Sequence, residues 1–334
     1  MRLVGISVLK YGEKLAYPIY STSGKVILNA GAVITEAYID KLKKLGIFTV
    51  YIDDNKFNDI QITDAVNFKT KTQASQKFKQ VYELFQKNKP LDEYLIVDVV
   101  KLIVEDIKSN GTNSINFISS IVMDDYLTGH SVNVCILSIL IGNNMKYCFN
   151  QLVELGVGAF VHDIARENAG EEMCQHVQKG FEVMKRYRGI SLNSAKLIYE
   201  HHENYDGSGY PRGVSGNSIS EFAKIVSIVD YYDSLILGNS KQTPMMPHEA
   251  YEALLAEADK RFDSEIIQVF RNTIAIYPNG STIKLSNSEK GVVIRQNRGL
   301  PHRPIVRIIE GENVKEDIDL LTNLTLFIEE IDKD

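Results

Sequence analysis

Imidazoles are scarce in this chain of 334 residues, and five of its seven histidines fall between positions 130 and 202. They are His130, His162, His176, His201 and His202; Asp163 directly follows His162, and Asp230 lies beyond them. Each sits beside apolar residues that recur at spacings of three and four, the pattern of a buried helical face. His130 heads a stripe continued by Val134, Leu137 and Ile141; His202 shares a face with Ala195, Ile198 and Tyr199; Asp230 joins Ala223, Val226 and Asp233. His162 and Asp163 sit late in the helical run LVELGVGAFVHDIAR, and His176 precedes Phe181 and Met184. Burying an ionised group without a partner costs on the order of several kcal/mol. A lone inward histidine is more often a satisfied core residue, and a lone inward aspartate more often a cap or a salt bridge. Five histidines and two aspartates drawn from separate helices fit a shared metal site better.

Imidazole and carboxylate without thiolate suit first-row metals such as Fe, Mn, Zn or Ni rather than Mg or Ca. Seven ligands exceed the need of one ion, whereas two ions sharing a bridging carboxylate would use them all. Such a pair, about 3.5–4 Å apart, activates a bridging hydroxide and stabilises both oxygens of an in-line phosphoryl displacement. Neighbouring His201 and His202, about 100° apart around a helix, could each face one ion. The turn that follows, Asp206-Gly207-Ser208-Gly209-Tyr210-Pro211, contains glycines that permit positive φ. Successive amides there could form an anion-binding nest, with Arg212 adding charge and Tyr210 a stacking surface. The plainer reading of the turn is a tight connection that only redirects the chain.

Several elements must hold these groups in place. No proline occurs between Pro90 and Pro211, and the apolar spacing across that span predicts a helical bundle. Residues 1–60 alternate short strands with turns around one helix from Thr35 to Leu45, a small α+β module. That module reads as a packing or dimerisation cap, or as a sensor. Connecting helices follow over 61–115, broken at Asn88-Lys89-Pro90 and stopped at Asn110-Gly111. The bundle occupies 116–273. Short β-rich runs joined by Gly/Asn/Ser turns fill 274–334 and predict a small β-barrel or sandwich. The fold class expected is therefore mainly α, with a small module at each end.

The net charge of −6 argues against nucleic-acid binding through a broad basic field. It permits an anionic small substrate, because bound cations reverse the local sign. Cys135, Cys148 and Cys174 are odd in number and form no CxxC pair, as expected in a reducing compartment. The sequence shows no signal peptide and no run of about 20 apolar residues able to span a bilayer. A cytoplasmic protein is the expectation, with no DNA and no membrane among its partners.

The run HHENYDGSGYPRG, preceded by HSVNV and VHDIAR, resembles the HD-GYP family of HD phosphohydrolases over about residues 120–270. The flanking modules also resemble those of bacterial members. The resemblance implies a helical HD core, a bi- or trinuclear centre that is typically iron or manganese, and hydrolysis of cyclic di-GMP to pGpG and GMP. It implies that His130, His162, Asp163 and Asp230 hold one metal. Asp163 would bridge to a second held by His176, His201 and His202. Tyr126 stands one turn before His130, where some trinuclear members carry glutamate, which favours two metals; Asp124 and Asp125 lie close by.

Three departures stand out. Arg166 replaces a lysine expected to steady a substrate phosphate; it is expected to keep that role beside the catalytic Asp163. The segment between Asp163 and His176 is shortened, although His176 and Gly180 keep their spacing. The arginines expected after Asp233 give way to LGNSKQ, where Lys241 could compensate. The expected substrate contacts are then Arg166, Gly207, Gly209, Tyr210, Pro211, Arg212 and Lys241. The competing reading is a catalytically weak cyclic-dinucleotide receptor or scaffold that keeps the metals, with a homodimer or signalling protein as partner. An HD phosphohydrolase acting on another nucleotide accounts for the metals but not for the intact loop.

Overall fold

The computed structural model describes residues 1–331 apart from 22–24, 46, 48, 58, 61–63, 111–120, 123–125, 167–174, 239–242 and 298. In chain order the elements begin with β1 (Arg2–Gly5), β2 (Ile19–Ser21), β3 (Val26–Leu28), α1 (Glu36–Lys44) and β4 (Thr49–Ile52). Helices α2 (Phe68–Gln86) and α3 (Glu93–Asn110) follow, then β5 (Ile121–Val122). Next come α4 (Tyr126–Asn144), α5 (Phe149–Phe160), α6 (Gln175–Met184), α7 (Leu192–Glu200) and α8 (Glu221–Leu237). The last helices are α9 (Pro247–Ala256) and α10 (Ser264–Thr273). Strands β6 (Thr282–Leu285), β7 (Lys290–Arg295), β8 (Ile305–Glu310), β9 (Asp317–Asp319) and β10 (Ile328–Ile331) close the chain. The fold is mainly α, as expected. No helix among the described residues is long and apolar enough to cross a membrane.

The chain divides into two compact units, and the first gathers residues 1–64, 113–124 and 271–334. In it β1 pairs antiparallel with β4, placing Leu3 opposite Tyr51 and Val4 opposite Val50. Strand β2 lies between antiparallel β3 and parallel β5. Helix α1 begins where the Thr35 hydroxyl accepts from the Tyr38 amide at 3.3 Å. Its buried Leu42 joins Val4, Leu15, Ile34 and Val50 in one core. The C-terminal strands form an antiparallel sheet ordered β10-β6-β7-β8-β9. Of the barrel or sandwich expected, the barrel does not close: β9 and β10 remain opposite edges. Strands of three to six residues leave little length for the tilt and stagger that closure requires. Charged Glu329 and Glu330 on one edge and Asp317 on the other discourage further pairing. Phe57 and Ile60 pack on Val292 of β7, and the Leu3 amide donates to the Gly280 carbonyl at 2.9 Å.

The second unit comprises residues 65–112 and 125–270. Helix α4 is its axis, buried on every side from Thr128 to Gly142 and packed against α2, α3, α5 and α8. It starts four residues before the expected opening at His130. A helix wrapped by neighbours carries no polar face to mark its ends. Helix α5 is started by Gln151, whose side chain accepts from the Cys148 amide at 3.0 Å. It ends at Phe160, so His162 and Asp163 lie in tight turns past the helix rather than late within it. Helix α7 packs against α5, α6 and α8. A Cβ on Gly158 of α5 would lie 2.9 Å from the Ser194 carbonyl and from Leu197 of α7, so glycine permits that close approach. Gly180 of α6 likewise admits Ile198 of α7, which gives the His176-to-Gly180 spacing its structural meaning.

The α5–α7 approach sets the distance between His162-Asp163 and His201-His202. Gly158→Ala is therefore expected to destabilise the protein by about 1–3 kcal/mol through overpacking. A lowered urea midpoint with an unchanged slope would register it.

Candidate metal centre

Two histidines reach the centre by the same device. The last carbonyls of a helix have no amide four residues ahead to bond. At the end of α5 the Ala159 carbonyl accepts from His162 Nδ1 at 2.8 Å. At the end of α7 the Ile198 carbonyl accepts from His201 Nδ1 at 2.9 Å. Each bond fixes the tautomer and turns Nε2 inward as a free lone pair. His201 is the C-cap of α7, with His202 the next residue along. His176 comes from the first turn of α6, His130 from α4, and Asp230 from α8.

The donors fall into two groups. Asp163, His176, His201 and His202 offer ligand atoms all within 4.8 Å of one another, and so do His130, His162 and Asp230. Asp163 faces both: Oδ1 lies 3.3 Å from His176 Nε2 and 3.6 Å from His201 Nε2, while Oδ2 lies 3.8 Å from His162 Nε2. Asp230 Oδ1 lies 2.9 Å from His130 Nε2 and 3.8 Å from His162 Nε2. The residues are deeply placed: His130 and His162 have no exposed surface, and Asp163 and His201 keep 1%. All seven expected ligands are thus brought together.

Their chemistry fits a bound cation. His162 Nε2, Asp163 Oδ1, His176 Nε2 and His201 Nε2 are buried without a hydrogen-bond partner in the protein. So many orphaned acceptors around one point would be costly unless a cation satisfied them. Ionisation tells the same story. Burial opposes ionisation of Asp163, yet His162, His201 and Arg166 hold its carboxyl well below the usual carboxylate range. Burial pushes His176 down to about 4, and burial together with His201 pushes His202 well below its ordinary value, so both present neutral imidazoles. His130 differs: burial works against its proton, but its hydrogen bonds to Asp230 and Asp233 prevail and carry it up to about 10.

Aromatic rings follow one another across the site. Tyr126 stacks on His130 with centroids 5.3 Å apart and planes 18° apart. His130 meets His162 at 5.2 Å, His162 meets His201 at 5.1 Å, and His201 meets His202 at 4.1 Å. Tyr210 closes the series, 4.9 Å from His202. Burial, then Asp233 and Asp230, raise the Tyr126 hydroxyl above its ordinary value, so it is a neutral phenol beside the donors.

The turn from Asn204 to Val214 is a braced scaffold rather than the amide nest expected. The Gly207 amide donates to Asn204, Ser208 to Asp206 Oδ1, and Tyr210 to the His202 carbonyl. Arg212 and Val214 donate to the two oxygens of Glu203, at 2.8 and 3.2 Å. Those amides are spent internally and do not converge on an anion. Gly207 has a φ of +87°, and a Cβ on Gly209 would lie 2.2 Å from the Asn204 nitrogen. The Tyr210–Pro211 bond is cis. Glu200, which has no side-chain exposure, ion-pairs with the Arg212 guanidinium and accepts from the Ser220 amide at 2.9 Å.

Arg212 thus braces the loop through Glu200, while its side chain keeps 43% exposure. Arg166 is 51% exposed along its side chain, with Nη1 2.6 Å from Asp163 Oδ2. Lys241, Asp124, Asp125 and Cys174 lie outside the described residues, as does most of the shortened segment before His176. Four residues here carry no sequence signal of their own importance: Glu200, Glu203, Asp233 and Asn133. Asp233 Oδ2 lies 2.7 Å from His130 Nδ1, and Asn133 Nδ2 donates to Asp233 Oδ1 at 2.9 Å. The α8 stripe contained Asp233, but only the packing of α8 on α4 reveals its partner.

Residues 164–266 match the family model of the HD domain, and residues 282–333 match a KOW domain associated with the HD domain. The HD match begins just after Asp163 and includes His176, His201, His202 and Asp230. A cyclic di-GMP phosphodiesterase of Pseudomonas aeruginosa is 26% identical over 235 residues, covering 65% of this chain and 56% of that protein. One from Borreliella burgdorferi is 26% identical over 194 residues, covering 54% and 51%. The chain therefore spans about half the length of these curated relatives. Among solved structures, an HDG"Y"P protein from Bdellovibrio bacteriovorus shares the fold at a TM-score of 0.50 and 18% identity. That match covers 80% of this chain and 97% of the other. The resemblance to the HD-GYP family is borne out by a match to the HD domain model followed by a match to the KOW domain associated with it.

Proposed function

We propose that this chain is a cytoplasmic metal-dependent phosphodiesterase that hydrolyses cyclic di-GMP to pGpG, GMP or both. One observation carries the reading: seven His and Asp donors in two adjoining groups, with four of their atoms buried and unpartnered. His130, His162 and Asp230 would hold one ion, and His176, His201 and His202 the other, with Asp163 shared between them. Two divalent ions, Fe or Mn, would supply Lewis acidity and an activated water for attack on a phosphodiester phosphorus. The protein's part is to aim the His162 and His201 imidazoles, through the Ala159 and Ile198 carbonyls. Arg166, half exposed and anchored on Asp163, supplies a positive charge at the mouth where a phosphate would arrive. Tyr126 and Tyr210 offer ring faces at either end of the imidazole series, suited to the bases of a dinucleotide.

A second reading is a receptor that keeps the metals without turnover. The pairing of Arg212 with Glu200 favours it, because part of that charge is already taken up by a buried carboxylate.

Turnover separates the two. Full-length protein loaded with Mn²⁺ is expected to convert cyclic di-GMP to a linear product resolved by chromatography. A His201→Ala, His202→Ala double variant is expected to lose more than about 100-fold of that rate. Tight binding without turnover in the parent would establish the receptor, and turnover surviving in the double variant would refute the metal reading. A further outcome concerns the loop alone. Glu203→Ala leaves the Arg212 and Val214 amides without acceptors and is expected to cost about 1–3 kcal/mol of stability. Faster proteolytic cleavage between residues 204 and 214 would accompany it.

A further inference from the structure

Both ring nitrogens of His130 are engaged by one helix. Asp230 and Asp233 stand one turn apart on α8 and meet Nε2 at 2.9 Å and Nδ1 at 2.7 Å. On α4, His130 and Asn133 are also one turn apart, and Asn133 Nδ2 holds the second oxygen of Asp233 at 2.9 Å. Two residues of α4 thus face two of α8 across a closed, buried square. The Nε2 side belongs to the donor group of His130, His162 and Asp230. The Nδ1 side points away from it, onto a carboxylate that is 1% exposed.

His162 and His201 are held differently, each by a neutral backbone carbonyl. A carboxylate bonded to imidazole N–H is a stronger partner than a neutral acceptor, fixes the tautomer, and raises the basicity of the distal nitrogen. Asp233 acts on only one of the two donor groups, because among the described residues its side-chain partners are His130 and Asn133.

We infer that Asp233 is a positioning residue that sets the metal affinity of the His130–His162–Asp230 position while leaving the other position unaffected. Asn133 supports it by holding the carboxylate in the plane that meets His130. This rests on the metal reading above and adds a selectivity that the reading does not require. Outer partners of this kind are worth about 10–100-fold in metal affinity.

The test is a calorimetric titration of metal-free, full-length protein with Mn²⁺ alone, read beside the ¹⁵N shifts of the imidazoles. The parent is expected to take up two Mn²⁺ per chain. In Asp233→Asn, which keeps shape and removes charge, one Mn²⁺ is expected to bind 10–100-fold more weakly and the other as before. The metal-free His130 signals should shift, while those of His162 and His201 stay in place. Asn133→Ala should weaken the same single step by a smaller factor, and it carries the test if Asp233→Asn does not fold. Two Mn²⁺ at parent affinity in these variants, or both steps weakened alike, would overturn the inference and leave the metal reading standing. A parent that binds no Mn²⁺ would overturn the metal reading and this inference with it.

Discussion

The unpaired carbonyls at helix ends are the constraint on which this site depends. A helix leaves its last carbonyls without intrahelical partners, and buried ones must find donors. Ala159 and Ile198 find them in His162 and His201, each three residues further along the chain. One hydrogen bond thus completes the helix, selects the imidazole tautomer and directs Nε2 inward. Gly158 and Gly180 then bring α5, α6 and α7 close enough for the aimed nitrogens to share a space. Helix termination and site construction are here one event.

The loop after His202 is held by two buried carboxylates. Glu200 and Glu203 flank the histidine pair, and their oxygens take up the Arg212 guanidinium and the Arg212, Val214 and Ser220 amides. Buried carboxylates are tolerated only when fully bonded. Their placement ties the position of Tyr210, whose amide donates to His202, to the end of α7. Arg166, by contrast, is anchored on Asp163 yet half exposed.

Much of the centre was legible from residue types. Histidines and aspartates on apolar stripes are conspicuous because burial penalises them, so His130, His162, Asp163, His176, His201, His202 and Asp230 could be singled out before their geometry was known. Asp233 and Asn133 could not. Their meaning lies in a bond between helices 100 residues apart in sequence, and Asp233 alone reads as one more polar residue on α8. The amide-nest expectation failed for a related reason. Glycines announce that a loop can turn, but which groups consume its amides depends on Glu203, outside the glycine-rich run. The barrel expectation failed because strand number and alternation do not specify closure, which depends on whether the β9 and β10 edges meet. At both ends of α4 the boundary was obscured because burial on every side erases the polar face that periodicity detects.

The first compact unit is assembled from three stretches, and its outer two are the opening 64 residues and the stretch from 271 to 334. On the ribosome these are separated by the whole helical bundle. Val292 emerges after residues 65–270, so Phe57 and Ile60 must wait for this packing partner until the bundle has been synthesised. The bundle's last segment, 125–270, is out before then. Domains fold as units in the order in which they emerge. The order of synthesis therefore favours a protein that forms its histidine cluster before it closes the first unit.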